Sequence, residues 1–185
     1  EIGLFLLLGL SWRVWSYRAG QTVMAGMDVS LIGLIYCVIP LLQLHAIYTE
    51  PQGKLWLCYL MVVVWGTDIG AYLIGRWLGR HKLAPMVSPG KSWEGAWGGL
   101  LVAALAGWAM IVLLSLTLTT QSAIMLSVGL SVVAQVGDLI ESLFKREAGV
   151  KDAGQLIPGH GGLLDRLDSL LFAAPGLFMY LTVTR

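Results

Sequence analysis

A chain of 185 residues that is 57% hydrophobic and only 12% charged, with a mean hydropathy of +0.76, falls in the membrane class and leaves no room for a soluble domain. Twelve Lys and Arg against eleven Asp and Glu leave a formal charge of +1, so the overall balance gives no sign of a nucleic-acid partner. Cys37 and Cys58 lie in apolar runs without partners at metal-ligand spacing and read as packing residues.

The first residue is Glu1, and the opening apolar run 2–10 is about half a membrane span, without a basic segment before it of the kind that begins a signal peptide. The chain is therefore expected to be the later part of a longer protein. Apolar runs long enough to cross a bilayer, about twenty residues each, follow at 29–48, 55–75, 96–118, 122–140 and 163–183, after a shortened one at 2–15. The expected fold is all-α: a polytopic membrane protein of about six transmembrane helices, the first truncated. It divides into N-terminal helices, 1–54, and a motif-bearing region, 55–185. Ten of the twelve basic residues fall at span ends that alternate threading places on one side, while Lys54 and Arg185 fall on the other. The positive-inside rule then puts the polar loops 76–95 and 141–162 together at the cytoplasmic face, forming one site. Trp12, Trp15, Trp56, Trp65, Trp77, Trp93 and Trp97 are expected mostly near span ends, as an aromatic belt would be.

In the third run, Trp65-Gly66-Thr67-Asp68-Ile69-Gly70 sets a carboxylate well inside hydrocarbon, where a charge costs about 2.5–3.5 kcal/mol on insertion scales. Asp68 must pair with a cation or be protonated, and Gly66 with Gly70 would let helices approach closely beside it. The following segment ends Ser88-Pro89-Gly90-Lys91-Ser92-Trp93-Glu94-Gly95. It is not a P-loop, since that motif needs a glycine where Pro85 stands and a strand before it. Its hydroxyls, lysine and glycine turn can still grip phosphate oxygens at the membrane edge.

The second polar segment carries most of the chemistry. Asp138 and Glu141 close the fifth run at i,i+3, and Asp165 and Asp168 open the sixth at the same spacing, so each pair shares a helix face. Four carboxylates from two helices suit Mg²⁺, which takes one or two of them and completes its shell with water and phosphate. Between them, Pro158-Gly159-His160-Gly161-Gly162 leads into a helix start whose free N–H groups favour an anion, and Lys145, Arg146, Lys151 and Arg166 add positive charge. This is the equipment of phosphoryl or nucleotidyl transfer.

The pattern Ser142, Lys145-Arg146, Lys151-Asp152, Pro158, His160-Gly161-Gly162, Asp165-Arg166 and Asp168 resembles the signature of the phosphatidate cytidylyltransferases, or CDP-diacylglycerol synthases. Trp65-Gly66-x-Asp68-x-Gly70-Ala71-Tyr72 and the stretch Ser88 to Gly95 are similar to that family too, so the resemblance runs from about Leu55 to the C-terminus. It implies the reaction CTP + phosphatidic acid → CDP-diacylglycerol + pyrophosphate at the cytoplasmic face of a bacterial inner membrane. Mg²⁺ would be held by Asp138, Asp165 and Asp168, with a second cation in addition. His160 would position phosphate, Lys145 and Arg146 would serve the transfer, and Ser88, Lys91, Lys151, Asp152, Gly161, Gly162, Arg166 and Asp68 would bind substrate. CTP, phosphatidic acid and membrane lipids are the implied partners, with a homodimer as the expected assembly. Two other readings fit parts of the chain: a CTP-dependent transferase or kinase for another lipid, and a cation transporter using Asp68 and Asp138. The transporter reading leaves the Lys-Arg, Lys-Asp and His-Gly-Gly cluster without a purpose.

Overall fold

A computed structural model describes residues 28–151, 153–154, 162 and 164–184. Helix α1 spans Asp28–Thr49 and α2 spans Gly53–Leu78; a hairpin of β1, Lys82–Ala84, and β2, Ser88–Ser92, leads into α3, Trp93–Leu114. Helices α4, Thr120–Glu147, and α5, Leu164–Val183, complete the described chain. Three of them, α2, α3 and α4, are long and apolar enough to cross a membrane. The shortened run at 2–15 lies outside the described residues.

Two expectations need correction. The segment 76–95 is not an irregular loop: β1 and β2 pair antiparallel, Lys82 opposite Ser92 and Ala84 opposite Ser88, a small hairpin in a fold that is otherwise helical, as expected. The segment 141–162 is not a loop at its start either, since α4 continues two turns past the apolar run to Glu147. That extension makes physical sense, because Lys145 and Arg146 sit in the last turn, where cations complement the helix dipole. The helix stops where Gly149 takes a left-handed φ of 69°, and Val150 N–H closes back on the Lys145 carbonyl at 2.9 Å.

Helix α2 packs most extensively on α3, α4 packs on both α3 and α5, and α1 lies against α5 and α2. The α2–α3 seam depends on small residues: a Cβ at Gly70 would stand 2.7 Å from Val102 Cγ2 and 2.8 Å from the Gly98 carbonyl oxygen. Without a hydrophobic drive between helices in lipid, this close approach supplies the van der Waals contact that holds them. Hydroxyls join α2 to α4 through the core. Tyr59 Oη lies 2.6 Å from Ser127 Oγ, and Thr67 Oγ1 donates to Ser131 Oγ at 2.8 Å. Of the tryptophans, Trp56 is buried, whereas Trp65, Trp77, Trp97 and Trp108 are exposed on helix faces, two of them away from helix ends. Cys58 is exposed on α2 rather than packed, and Cys37 is half-buried.

Candidate active site

The hairpin is held at its base by one carboxylate. Glu94, in the first turn of α3, accepts the backbone N–H of Arg80 at 3.1 Å and of His81 at 3.2 Å, and its Oε1 lies 2.6 Å from His81 Nδ1. A carboxylate only accepts, so the imidazole donates through Nδ1. Ser92 Oγ caps α3 by accepting Gly95 N–H at 3.1 Å, and it fits under Gly75 of α2 and Gly79, which ends that helix. This clamp aims Lys91 off β2 at α4, where its Nζ meets Asp138 Oδ2 at 2.5 Å. Nearly two turns beyond α4's apolar run, Arg146 Nε donates to the Val87 carbonyl at 3.2 Å. The two polar segments therefore share one face, as the charge distribution along the chain implies.

On the other flank, Lys145 bridges α4 and α5: its Nζ lies 2.6 Å from Glu141 Oε2 and 2.8 Å from Asp165 Oδ1. Asp165 also accepts Ala153 N–H at 2.9 Å and Gly162 N–H at 2.7 Å. It thus ties the turn before α5 to the helix it begins. Asp168 is buried, with Oδ1 accepting its neighbour's Ser169 N–H at 2.6 Å. Asp68, Asp138 and Asp168 lie near enough to feel one another's charge, with Lys91 the cation offsetting them. Glu141 is also buried, and its Oε1 has no hydrogen-bond partner.

Between α2, the hairpin, α3 and α4 lies a cavity of about 660 Å³, whose lining includes Asp68, Arg76, Lys82, Ser88, Lys91 and Asp138. Of the residues expected to act, Asp68, Ser88, Lys91 and Asp138 meet in this cavity, while Lys145, Asp165 and Gly162 gather at the α4–α5 junction. Lys151 and Arg166 are exposed at the same end of the molecule. Asp152, His160 and Gly161 lie outside the described residues. Among the described residues, no three His, Cys, Asp or Glu side chains converge as metal ligands. Of the carboxylates expected to share a cation, Asp138 lies against the Lys91 ammonium and Asp165 against that of Lys145.

Sequence reasoning passed over the Glu94–His81 clamp and the cavity residues Arg76, Lys82 and Gln135. Gln135 left a signal: an amide in an apolar run, at i−3 from Asp138. The clamp left none, because nothing marked His81 and Glu94 as neighbours across a hairpin that was itself unread.

Comparison with known proteins adds to this geometry. The sequence profile described as the cytidylyltransferase family matches residues 1–184. The chain is similar to the phosphatidate cytidylyltransferase of Haemophilus influenzae, with 43% identity over 181 residues, 94% of this chain and 62% of that protein. It is similar to those of Staphylococcus epidermidis, at 37% over 183 residues, and Staphylococcus haemolyticus, at 38% over 178. Those alignments cover 96% and 95% of this chain, and 69% and 68% of the respective relatives. The chain thus spans 62–69% of the length of these relatives. With a family profile matching nearly every residue and a site built from cations set against carboxylates at a membrane edge, this chain belongs to the cytidylyltransferase family.

Proposed function

We propose that this chain transfers the cytidylyl group of CTP to phosphatidic acid, forming CDP-diacylglycerol and releasing pyrophosphate at the cytoplasmic face of a bacterial inner membrane. The observation that carries the proposal is the joining of the two polar segments: Lys91 on Asp138 and Arg146 on Val87 tie α4 and its basic last turn to the hairpin that walls one large cavity beside apolar helices. The relatives' names, phosphatidate cytidylyltransferase, support phosphatidate as the acceptor of a cytidylyl group.

In the transfer, a phosphate oxygen of the lipid attacks the α-phosphorus of CTP in line; one P–O bond forms there and the α–β P–O bond breaks, with pyrophosphate leaving. A phosphate monoester has a second pKa of about 6 in the phospho-amino-acid case, so the nucleophile is already ionised near neutral pH and no general base is required. The task left to the protein is to hold two anions together. Lys91, Lys145, Arg146 and Lys151 take triphosphate oxygens, Ser88 donates a hydrogen bond, His160 positions phosphate, and Asp152, Gly161, Gly162 and Arg166 complete the substrate contacts.

The donor chemistry suits Mg²⁺: Asp138, Asp165 and Asp168 offer hard oxygens, two of them already face ammonium groups, and Glu141 adds a buried oxygen without a donor. Held by Asp138, Asp165 and Asp168, with a second cation beside it, Mg²⁺ would neutralise phosphate oxygens and polarise the attacked phosphorus. For Asp138 and Asp165 to serve it, the Lys91 and Lys145 side chains would turn from these carboxylates to the triphosphate. Six membrane crossings and a homodimer complete the proposal, the latter covering part of the exposed apolar faces of α2 and α3.

The test is incubation of the purified protein in phosphatidic acid vesicles with CTP and Mg²⁺, followed by mass spectrometry of the lipid. CDP-diacylglycerol and stoichiometric pyrophosphate are expected. Folded protein that forms neither would overturn the proposal.

A further inference from the structure

The cavity is chemically polarised along its depth. Arg76, Lys82 and Lys91 line it at the hairpin end, Lys91 paired there with Asp138, and Asp68 and Gln135 line it further in along α2 and α4. Asp68 lies two turns of α2 inward of Arg76, roughly 12 Å at 1.5 Å per residue. A ligand matched to this chamber is anionic at one end and a hydrogen-bond donor at the other. Phosphatidic acid has the first property but carries hydrocarbon where the second is needed. A cytosine nucleotide has both, through its phosphates and its exocyclic amine.

Gln135 is set to read that amine. Its Nε2 donates to the Ala96 carbonyl of α3 at 3.3 Å and to Ser131 Oγ, one turn back on α4, at 3.4 Å. The amide cannot usefully turn over, because a carbonyl accepts and never donates, so the nitrogen must face Ala96. Both amide protons are thereby engaged, and Oε1 is the atom left for the cavity. Ser131 is itself fixed, accepting from Thr67 Oγ1 at 2.8 Å within the buried hydroxyl chain between α2 and α4. A held acceptor favours the amine at position 4 of cytosine and repels the carbonyl oxygen that uracil carries there.

We infer that Gln135 is the residue that selects cytosine over uracil, with the base bound at the inner end of the cavity and the phosphates at the hairpin end. The inference rests on the cytidylyl-transfer reading and deepens it. The measured quantity is the ratio of kcat/KM for CTP to that for UTP, which is independent of the fraction of protein that is folded. Gln135→Met keeps the length of the side chain and removes the acceptor. It is expected to lower the CTP:UTP ratio by at least about tenfold, the scale of one hydrogen bond in a buried site, and to leave the CTP:dCTP ratio within about twofold, because dCTP carries the same base. Ser131→Ala, which frees one amide proton, should lower the CTP:UTP ratio by a smaller factor, and it decides the matter if Gln135→Met is inactive with every nucleotide. An unchanged CTP:UTP ratio in the active variants overturns the inference. Wild-type protein that makes no CDP-diacylglycerol from CTP rejects the underlying reading instead.

Discussion

Asp165 is the residue whose replacement tests the site most directly. Both of its oxygens are engaged: Lys145 and Ala153 approach Oδ1, and Ala153 and Gly162 approach Oδ2. In Asp165→Asn the volume is kept, but one acceptor oxygen becomes an NH₂ group, so whichever way the amide turns, it presents a donor to a donor. Losing one charge-assisted hydrogen bond costs about 1.5–3 kcal/mol. Lys145 also loses the charge that holds it toward α5, and any metal loses an anionic ligand. A combined loss of about 3 kcal/mol in the transition state corresponds to a rate reduction of at least about a hundredfold, since each 1.36 kcal/mol is tenfold. The assay is conversion of labelled CTP to CDP-diacylglycerol in vesicles across a Mg²⁺ titration, with folding checked by thermal melting in detergent. Asp138→Asn should resemble Asp165→Asn because it strips the partner of Lys91. Lys54→Gln, at the other end of α2 where the ammonium sits over the Tyr48 ring, should change little. Folded Asp165→Asn protein that keeps most of its Mg²⁺-dependent transfer would refute the reasoning.

Three further outcomes are expected. Glu94→Ala removes the acceptor for the Arg80 and His81 N–H groups and loosens the hairpin that aims Lys91, so KM for CTP should rise by about tenfold, more than kcat falls; equal kinetics in the variant would show that the clamp does not position the site. Gly70→Leu must push Val102 and the Gly98 carbonyl away, and a penalty of about 1–3 kcal/mol should appear as a lower melting temperature, whereas an unchanged melt would mean that the α2–α3 seam is looser than its geometry implies. In a background lacking Cys37 and Cys58, cysteines at Gly90, which is open to its surroundings, and at Gly154 should both react with an impermeant maleimide from the cytoplasmic side alone. Labelling of the two from opposite sides would break the shared face.

Composition and run length were enough to read this protein as apolar helices with two polar segments on one face, because burial in lipid requires continuous apolar runs and basic residues mark one side. The chemistry was legible for a related reason: charged residues are too costly beside hydrocarbon to gather without a use, so the Lys-Arg pair and the Asp-x-x-Asp pair stood out. What the sequence could not show was which charge meets which. The pairings Lys91–Asp138 and Lys145–Asp165 each join residues from different helices or strands, and no local periodicity encodes them. The hairpin escaped notice because its strands are three and five residues long and hold a proline and a glycine, residues that weaken a strand pattern; Glu94, the α3 cap and Val87 burial hold them instead. Gln135 is one polar residue in an apolar run in the sequence, and only α3 supplies the Ala96 carbonyl that orients its amide. Periodicity and charge act along the chain and can be read there, whereas the direction in which a side chain presents its donor or acceptor is decided by partners that only tertiary packing brings within about 3 Å.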